Sequence, residues 1–270
     1  MSNTLHIFGD SFSAGVGVDI EQGTPPHVPK TYKSYSQFAF YKNIKGYKVV
    51  NHAVAGASNE LISVSLMKAL PTIKKGDMVV VGLTEWARVS VPLKKNKKHI
   101  TLDLNLTGGF FLEHIQEKRL DYIEHLKKET GITEEQINVA FKFYELLTFP
   151  QKYADLKRDY YVGAVTQFGN HLYNLGAKFY MWDYTLWELF ENMSTWSDGE
   201  YPDGHWSPNG HRSFLGLLLW GIHTNTTYLN ASVYKSNKKQ VIRYMLEIGL
   251  DQYIKSLVVG YIYKFYIYIK

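Results

Sequence analysis

Four short apolar runs, each cut off by small or polar residues, limit what this chain can fold into. They are Leu5–Phe8, Lys48–Asn51, Met78–Val81 and Lys178–Trp182. Each has the length of a strand and is rich in β-branched or aromatic residues. Between them the spacing turns helical. Leu61, Val64, Ser65, Lys68 and Ala69 follow one helical stretch, with Ser58 and Asn59 as candidate caps. Residues 113–128, 133–148 and 155–175 interleave charges with Ile, Leu, Phe and Tyr in the same manner. Strands alternating with helices predict an α/β fold, a parallel sheet covered on both faces. Ligands of such sheets collect beyond the carboxyl ends of the strands. Gly9-Asp10-Ser11, Asn51-His52-Ala53 and Gly82-Leu83-Thr84 stand at those ends.

Residues 1–230 read as one domain, with 90–175 as a helical insertion or lid between the third and fourth strands. Ser207-Pro208 signals a helix start, since proline suits the first helical position. Residues 231–270 read as a C-terminal tail. It closes on "SLVVGYIYKFYIYIK", which is too short and too tyrosine-rich for a membrane span. A packed strand or helix is the first reading of this stretch. An oligomer contact and an interfacial membrane segment are the alternatives.

The chain has 270 residues, 45% hydrophobic and 20% charged, enough for a sizeable core. Its net charge of +5 is spread out, and the group Lys94, Lys95, Lys97 and Lys98 reads as a solvated loop rather than a nucleic-acid face. The absence of cysteine excludes disulfides and cysteine nucleophiles. Leu5–Phe8 is too short for the apolar core of a signal peptide, so the expected setting is cytoplasmic or within a virus particle. His6, His27 and His52 form no ligand pattern with nearby carboxylates, so neither a metal nor another cofactor is expected.

The chemistry-bearing residues are a serine near the start and an aspartate and histidine late in the chain. A serine hydroxyl is a weak nucleophile at neutral pH. It needs an imidazole within hydrogen-bond reach, itself oriented by a carboxylate. Asp203 and His205 flank Gly204 in a loop before the helix that Pro208 opens. Ser11, His205 and Asp203 are therefore the candidate triad, with Asp198 as the fallback carboxylate and His211 as the competing histidine. His211 falls inside the helix, where packing or surface exposure is its expected role. Asp10 reads as structural, because an aspartate beside a helix start can accept from backbone N–H groups.

Three blocks in order carry a resemblance. "FGDSFSAG" at 8–15, "NHAVAGASN" at 51–59 and "DGHWSPNGH" at 203–211 resemble the first, second and last blocks of the GDSL, or SGNH, hydrolases. The resemblance implies a flavodoxin-like three-layer α/β/α sandwich and metal-free ester or acyl chemistry at a serine. It makes Ser11 the nucleophile and places the backbone N–H groups of Ser11 and Gly56 in the oxyanion hole. The family's third block has glycine, any residue, then asparagine. Here it is "GLTEWAR", with Gly82 present and Thr84 where the asparagine would stand. The third donor is then the Thr84 hydroxyl, the favoured choice, or the Asn59 amide. Asn59 has helix capping as its alternative role. In the family's last block two residues more often separate aspartate from histidine; here only Gly204 lies between them.

Glu85, Trp86, Arg88 and Trp206 are expected to line the substrate pocket. Arg88 would hold an acidic or sugar substrate, with a surface salt bridge as its alternative. Aromatic residues make up 15% of the chain, which suits stacking on sugar rings. The expected activity is hydrolysis of an ester, an O-acetyl ester on a carbohydrate for preference. The rivals are acyl transfer by the same triad and a non-enzymatic binding or structural module on the same scaffold.

Overall fold

In the computed structural model, the described residues are 3–15, 44–54, 56–86, 88–95, 98–104, 124, 127–128, 131, 133–139, 142, 151–186, 189, 206 and 208–244. They fall into two compact units, one drawn from 1–14 and 46–184, the other from 15–45 and 185–270.

The first unit is built on the four expected strands: β1 (Asn3–Phe8), β2 (Tyr47–Asn51), β3 (Met78–Leu83) and β6 (Lys178–Asp183). They pair in parallel in the order β2-β1-β3-β6. All six residues of β3 are buried, so both faces of the sheet are covered at its centre. That is the pattern of a parallel α/β sheet, whose central strands run apolar without alternation. β2, half-exposed along its length, lies at the margin of the sheet.

Helix α1 (Ser11–Ala14) is a single turn directly after β1. Helix α2 (Asn59–Ala69) buries Ile62, Leu66 and Ala69, one stripe at helical spacing. Its cap is Ser58, whose Oγ accepts from the Leu61 N–H at 3.3 Å. Helix α3 (Gln151–Asn174) buries Tyr161, Val165, Gly169 and Leu172 on a similar stripe.

Residues 90–175 contain helix, as expected of an insertion, but not helix alone. They begin with an antiparallel hairpin, β4 (Val89–Lys95) and β5 (Lys98–Leu104). The register sets Val89 opposite Leu104, Val91 opposite Leu102 and Leu93 opposite Ile100. This two-residue alternation is a strand signal, and the lysines at the ends of the two strands obscured it. Pro92 fits because each strand of a two-stranded sheet is an edge, where a missing N–H need not break a ladder. Of the group read as a solvated loop, Lys94, Lys95 and Lys98 are strand residues of this hairpin, with Lys95 opposite Lys98. Helical residues recur at 134–139, within one expected helix; most of 113–128 lies outside the described residues.

The second unit holds α4 (Pro208–Thr224), which starts at the expected proline, and the two-residue strand β7 (Tyr228–Leu229). Residues 231–244 are helical, and Gln240 accepts from the Trp220 indole N–H of α4 at 2.9 Å. The final stretch, 256–270, lies outside the described residues. Among the described residues no helix is long and apolar enough to cross a membrane.

One polar stack is set into the sheet of the first unit. His6 Nδ1 and His52 Nε2 lie 3.1 Å apart, and the His52 ring stacks on Phe8 at 4.5 Å between centroids. Asp77 Oδ2 is 3.6 Å from His6 Nε2, and that carboxylate also accepts from the backbone N–H of Thr4 and Lys74. Burial lowers the pKa of His6 from its ordinary 6.5, against the opposing pull of Asp77. Burial also lowers that of His52, helped by the charge of His6. A histidine held neutral by the fold stabilises it above the unfolded value, and this is lost as pH falls below 6.5 towards the folded value. Glu60 behaves differently: burial pushes its pKa up, but Lys157 and hydrogen bonds outweigh this, and the net shift is below the ordinary 4.5. Its contribution is lost only as pH falls below 4.5. Urea midpoints should therefore drop between about pH 7 and pH 5, a window chosen from the histidine titration. In His52→Gln that drop should shrink. An unchanged drop would assign the pH dependence to other groups.

Candidate active site

The segments that follow the carboxyl ends of β1, β2 and β3 carry the candidate residues of the first unit. After Phe8 the chain passes Gly9, whose φ of 148° is closed to ordinary side chains. A Cβ at Gly9 or at Gly82 would collide with the Ser13 hydroxyl of α1. The two glycines thus let α1 settle onto the strand ends. Ser13 is fully buried, and its hydroxyl has no hydrogen-bond partner among the described residues. Ser11 is the first residue of the helical turn, where backbone N–H groups lack intrahelical partners.

Beside it, the path of β2 continues past its last strand residue. The N–H of His52 donates to the Ile7 carbonyl at 2.8 Å, and that of Val54 to the Gly9 carbonyl at 3.0 Å. A turn follows, closed by the Ala57 N–H on the Val54 carbonyl, with Gly56 at its third position. Gly56 has φ of 78°, which demands glycine there, and a Cβ would meet nothing within 4 Å. The turn does not use the Gly56 N–H.

Asp10 is the hub of the site and is structural, as its place in the sequence suggests. Its Oδ1 accepts from the Phe12 N–H at 3.1 Å. Its Oδ2 accepts from the Thr84 hydroxyl at 2.7 Å and from the Arg88 guanidinium at 2.9 Å. Asp10 is 3% exposed and Arg88 6%, so this is a buried ion pair. Asn59 joins the ring from the other side. Its amide donates to the Thr84 carbonyl at 3.0 Å and accepts from the Thr84 N–H at 2.9 Å. Next to it, Glu60 pairs with Lys157 of α3 at 3.2 Å, and Lys157 donates to the Arg88 carbonyl at 3.2 Å. Two carboxylates and two cations thus close a circuit linking the turn after β1, the start of α2, the segment after β3, and α3.

This circuit corrects three expectations. The Thr84 hydroxyl has one proton, and it goes to Asp10, so it does not serve as an oxyanion donor in this arrangement. Arg88 is neither a substrate clamp nor a surface salt bridge, because its charged group is buried against Asp10. Asn59 does not cap α2, since Ser58 does; its amide brackets the Thr84 backbone like a neighbouring strand.

Glu85 and Trp86 follow Thr84 at the end of β3. Trp86 is buried, its ring edge-on to Tyr184 at 5.4 Å, so it is a packing residue rather than an open sugar platform. Burial raises the Tyr184 pKa, and the charges of Glu85 and Asp183 raise it further. In the second unit Trp206 is 0% exposed and packs against His211 and Phe214. The core, not the substrate, takes that ring. His211 is buried in α4, consistent with the expected packing role. Asp198, Asp203 and His205 lie outside the described residues. Among the described residues no group of three or more His, Asp or Glu stands where it could hold a metal ion.

Sequence reasoning missed the Asp10–Arg88 pair and the Asn59–Thr84 bracket. The one available signal was the polar pair Thr84 and Arg88 closely following a buried strand. Compared with known protein families and with curated proteins, the chain gives no match to either.

Asn59→Ala tests the bracket. It leaves the buried Thr84 N–H and C=O without partners, so stability should fall by about 1–3 kcal/mol per orphaned group. Chemical denaturation of the variant measures this. A loss no larger than a surface substitution gives, within about 0.5 kcal/mol, would show that water replaces the bracket.

Proposed function

We propose that this chain is a serine ester hydrolase of SGNH type, working through an acyl-enzyme. The observation that carries the reading is the setting of Ser11. It opens a helical turn at the carboxyl edge of a parallel sheet, beside a glycine turn, on a segment braced by a buried ion pair.

In this reading Ser11 Oγ attacks the ester carbonyl carbon while His205 takes the hydroxyl proton. Asp203 holds the imidazole in the tautomer that accepts it. The carbonyl electron pair moves onto oxygen. The backbone N–H groups of Ser11 and Gly56 donate to that oxyanion. The third donor is Asn59, whose amide nitrogen carries a second N–H besides the one given to Thr84. Collapse of the intermediate expels the alcohol, which takes the proton from His205. Water then repeats the sequence on the acyl-serine and releases the acid. No step needs a metal or organic cofactor. The proposed substrate is a small acyl ester, an O-acetyl group on a carbohydrate for preference.

Hydrolysis of p-nitrophenyl acetate tests the chemistry. Ser11→Ala should lower kcat by about 10⁴-fold or more, and His205→Ala by nearly as much, because the two act as a unit. Stability of Ser11→Ala should move by less than about 1 kcal/mol. Asp203→Asn should cost less activity than either. Loss of activity in His211→Ala but not in His205→Ala would move the base to His211 and contradict the buried packing role described above.

A further inference from the structure

We infer that Arg88 is a positioning residue for this chemistry, acting through Asp10: it cancels the carboxylate charge beside the nucleophile and holds the Ser11 turn in place. The inference rests on the esterase reading above and gives Arg88 a role other than holding substrate.

Two demands on the Ser11 turn conflict. The chain places Asp10 immediately before Ser11 and buries it. Its Oδ1 is needed to accept from the Phe12 N–H, which shapes the first turn of α1. Yet ester cleavage builds negative charge at this same turn, where the Ser11 N–H would receive the oxyanion. A buried, uncompensated carboxylate next to that point would oppose the charge with little solvent screening. Arg88 and Thr84 resolve the conflict. Both donate to Oδ2, the oxygen the turn does not use. Arg88 supplies a full positive charge, and Thr84 a neutral hydrogen bond.

Arg88 is itself fixed. Its backbone carbonyl accepts from Lys157, and its N–H donates to the Glu85 carbonyl at 3.1 Å. The guanidinium therefore arrives at Asp10 from a backbone tethered on both sides. Within the circuit the charges of Asp10 and Glu60 are matched by those of Arg88 and Lys157. Removing the Arg88 charge leaves one buried anion unmatched at the turn that carries the nucleophile.

The test is a set of steady-state measurements on a p-nitrophenyl ester with four proteins: wild type, Arg88→Met, Arg88→Lys and Asp10→Asn/Arg88→Met. Arg88→Met should lower kcat by about a hundredfold, the scale of a misplaced reacting group. KM should stay near the wild-type value, because Arg88 does not touch substrate. Arg88→Lys keeps the charge and should recover most of the loss. In Asp10→Asn/Arg88→Met the anion is gone, and kcat should rise at least about tenfold above Arg88→Met, since coupled residues are not additive. A residue that only fills space would not be rescued by changing Asp10. If the double variant is no better than Arg88→Met, or if Arg88→Met raises KM with kcat unchanged, the inference is overturned. If Arg88→Met does not fold, comparing Arg88→Lys with wild type decides: kcat within about tenfold supports the charge role, and a full loss overturns it. Absence of turnover in the wild type is a separate result, which removes the esterase reading and this inference with it.

Discussion

The buried contact between Asp10 and Arg88 is the interaction on which the rest of the site depends. It joins residues 78 positions apart and fixes the turn after β1 against the segment after β3. Such a pair is a poor source of net stability, since stripping water from two charges costs about what their attraction returns. Its value is in definition. Breaking it leaves a charge stranded in the interior, so alternative arrangements of the Ser11 turn are excluded. The Thr84 hydroxyl and the Phe12 N–H complete the coordination of the carboxylate, and the Asn59 bracket carries the constraint on to α2.

The sheet supplies the rigid base for this arrangement. β3 is buried throughout, and parallel pairing to β1 and β6 sets the carboxyl ends of three strands side by side. Glycine at 9 and at 82 removes the side chains that would otherwise hold α1 off the strand ends. Backbone bonds from His52 and Val54 bring the Gly56 turn alongside. Apolar packing thus fixes the edge, and polar contacts fix what stands on it. The histidine stack on β1 shows the same division. His6 stands among the buried Leu5, Ile7 and Phe8 of β1, and its partner His52 comes from the segment just after β2.

Much of this was legible in the residues themselves. The four strands lie within two residues of their expected ends, because an apolar run stopped by glycine or a polar residue is a local signal. Ser58 as a cap and Pro208 as a helix start are local as well. The hairpin at 89–104 was not anticipated, since its alternating pattern is short and a lysine cluster interrupts it. The roles of Thr84, Asn59 and Arg88 were misread for another reason. Each depends on a partner 25 to 78 positions away, and no periodicity reports such pairing. A threonine in the place of a family asparagine invites the asparagine's role. Only the position of Asp10 shows that the hydroxyl is already engaged. Trp86 and Trp206 follow the same logic, as composition counts aromatic rings without saying which are core.

The central claim is that Ser11 is an activated nucleophile rather than a turn serine. A fluorophosphonate probe reads this directly, because it reacts with serines whose hydroxyl is activated and needs no knowledge of the substrate. Intact-mass analysis of the treated protein should show a single adduct. Peptide mapping should place it on Ser11, and Ser11→Ala should remain unmodified. A folded wild-type protein that takes up no probe, or an adduct on a different serine, would contradict the account.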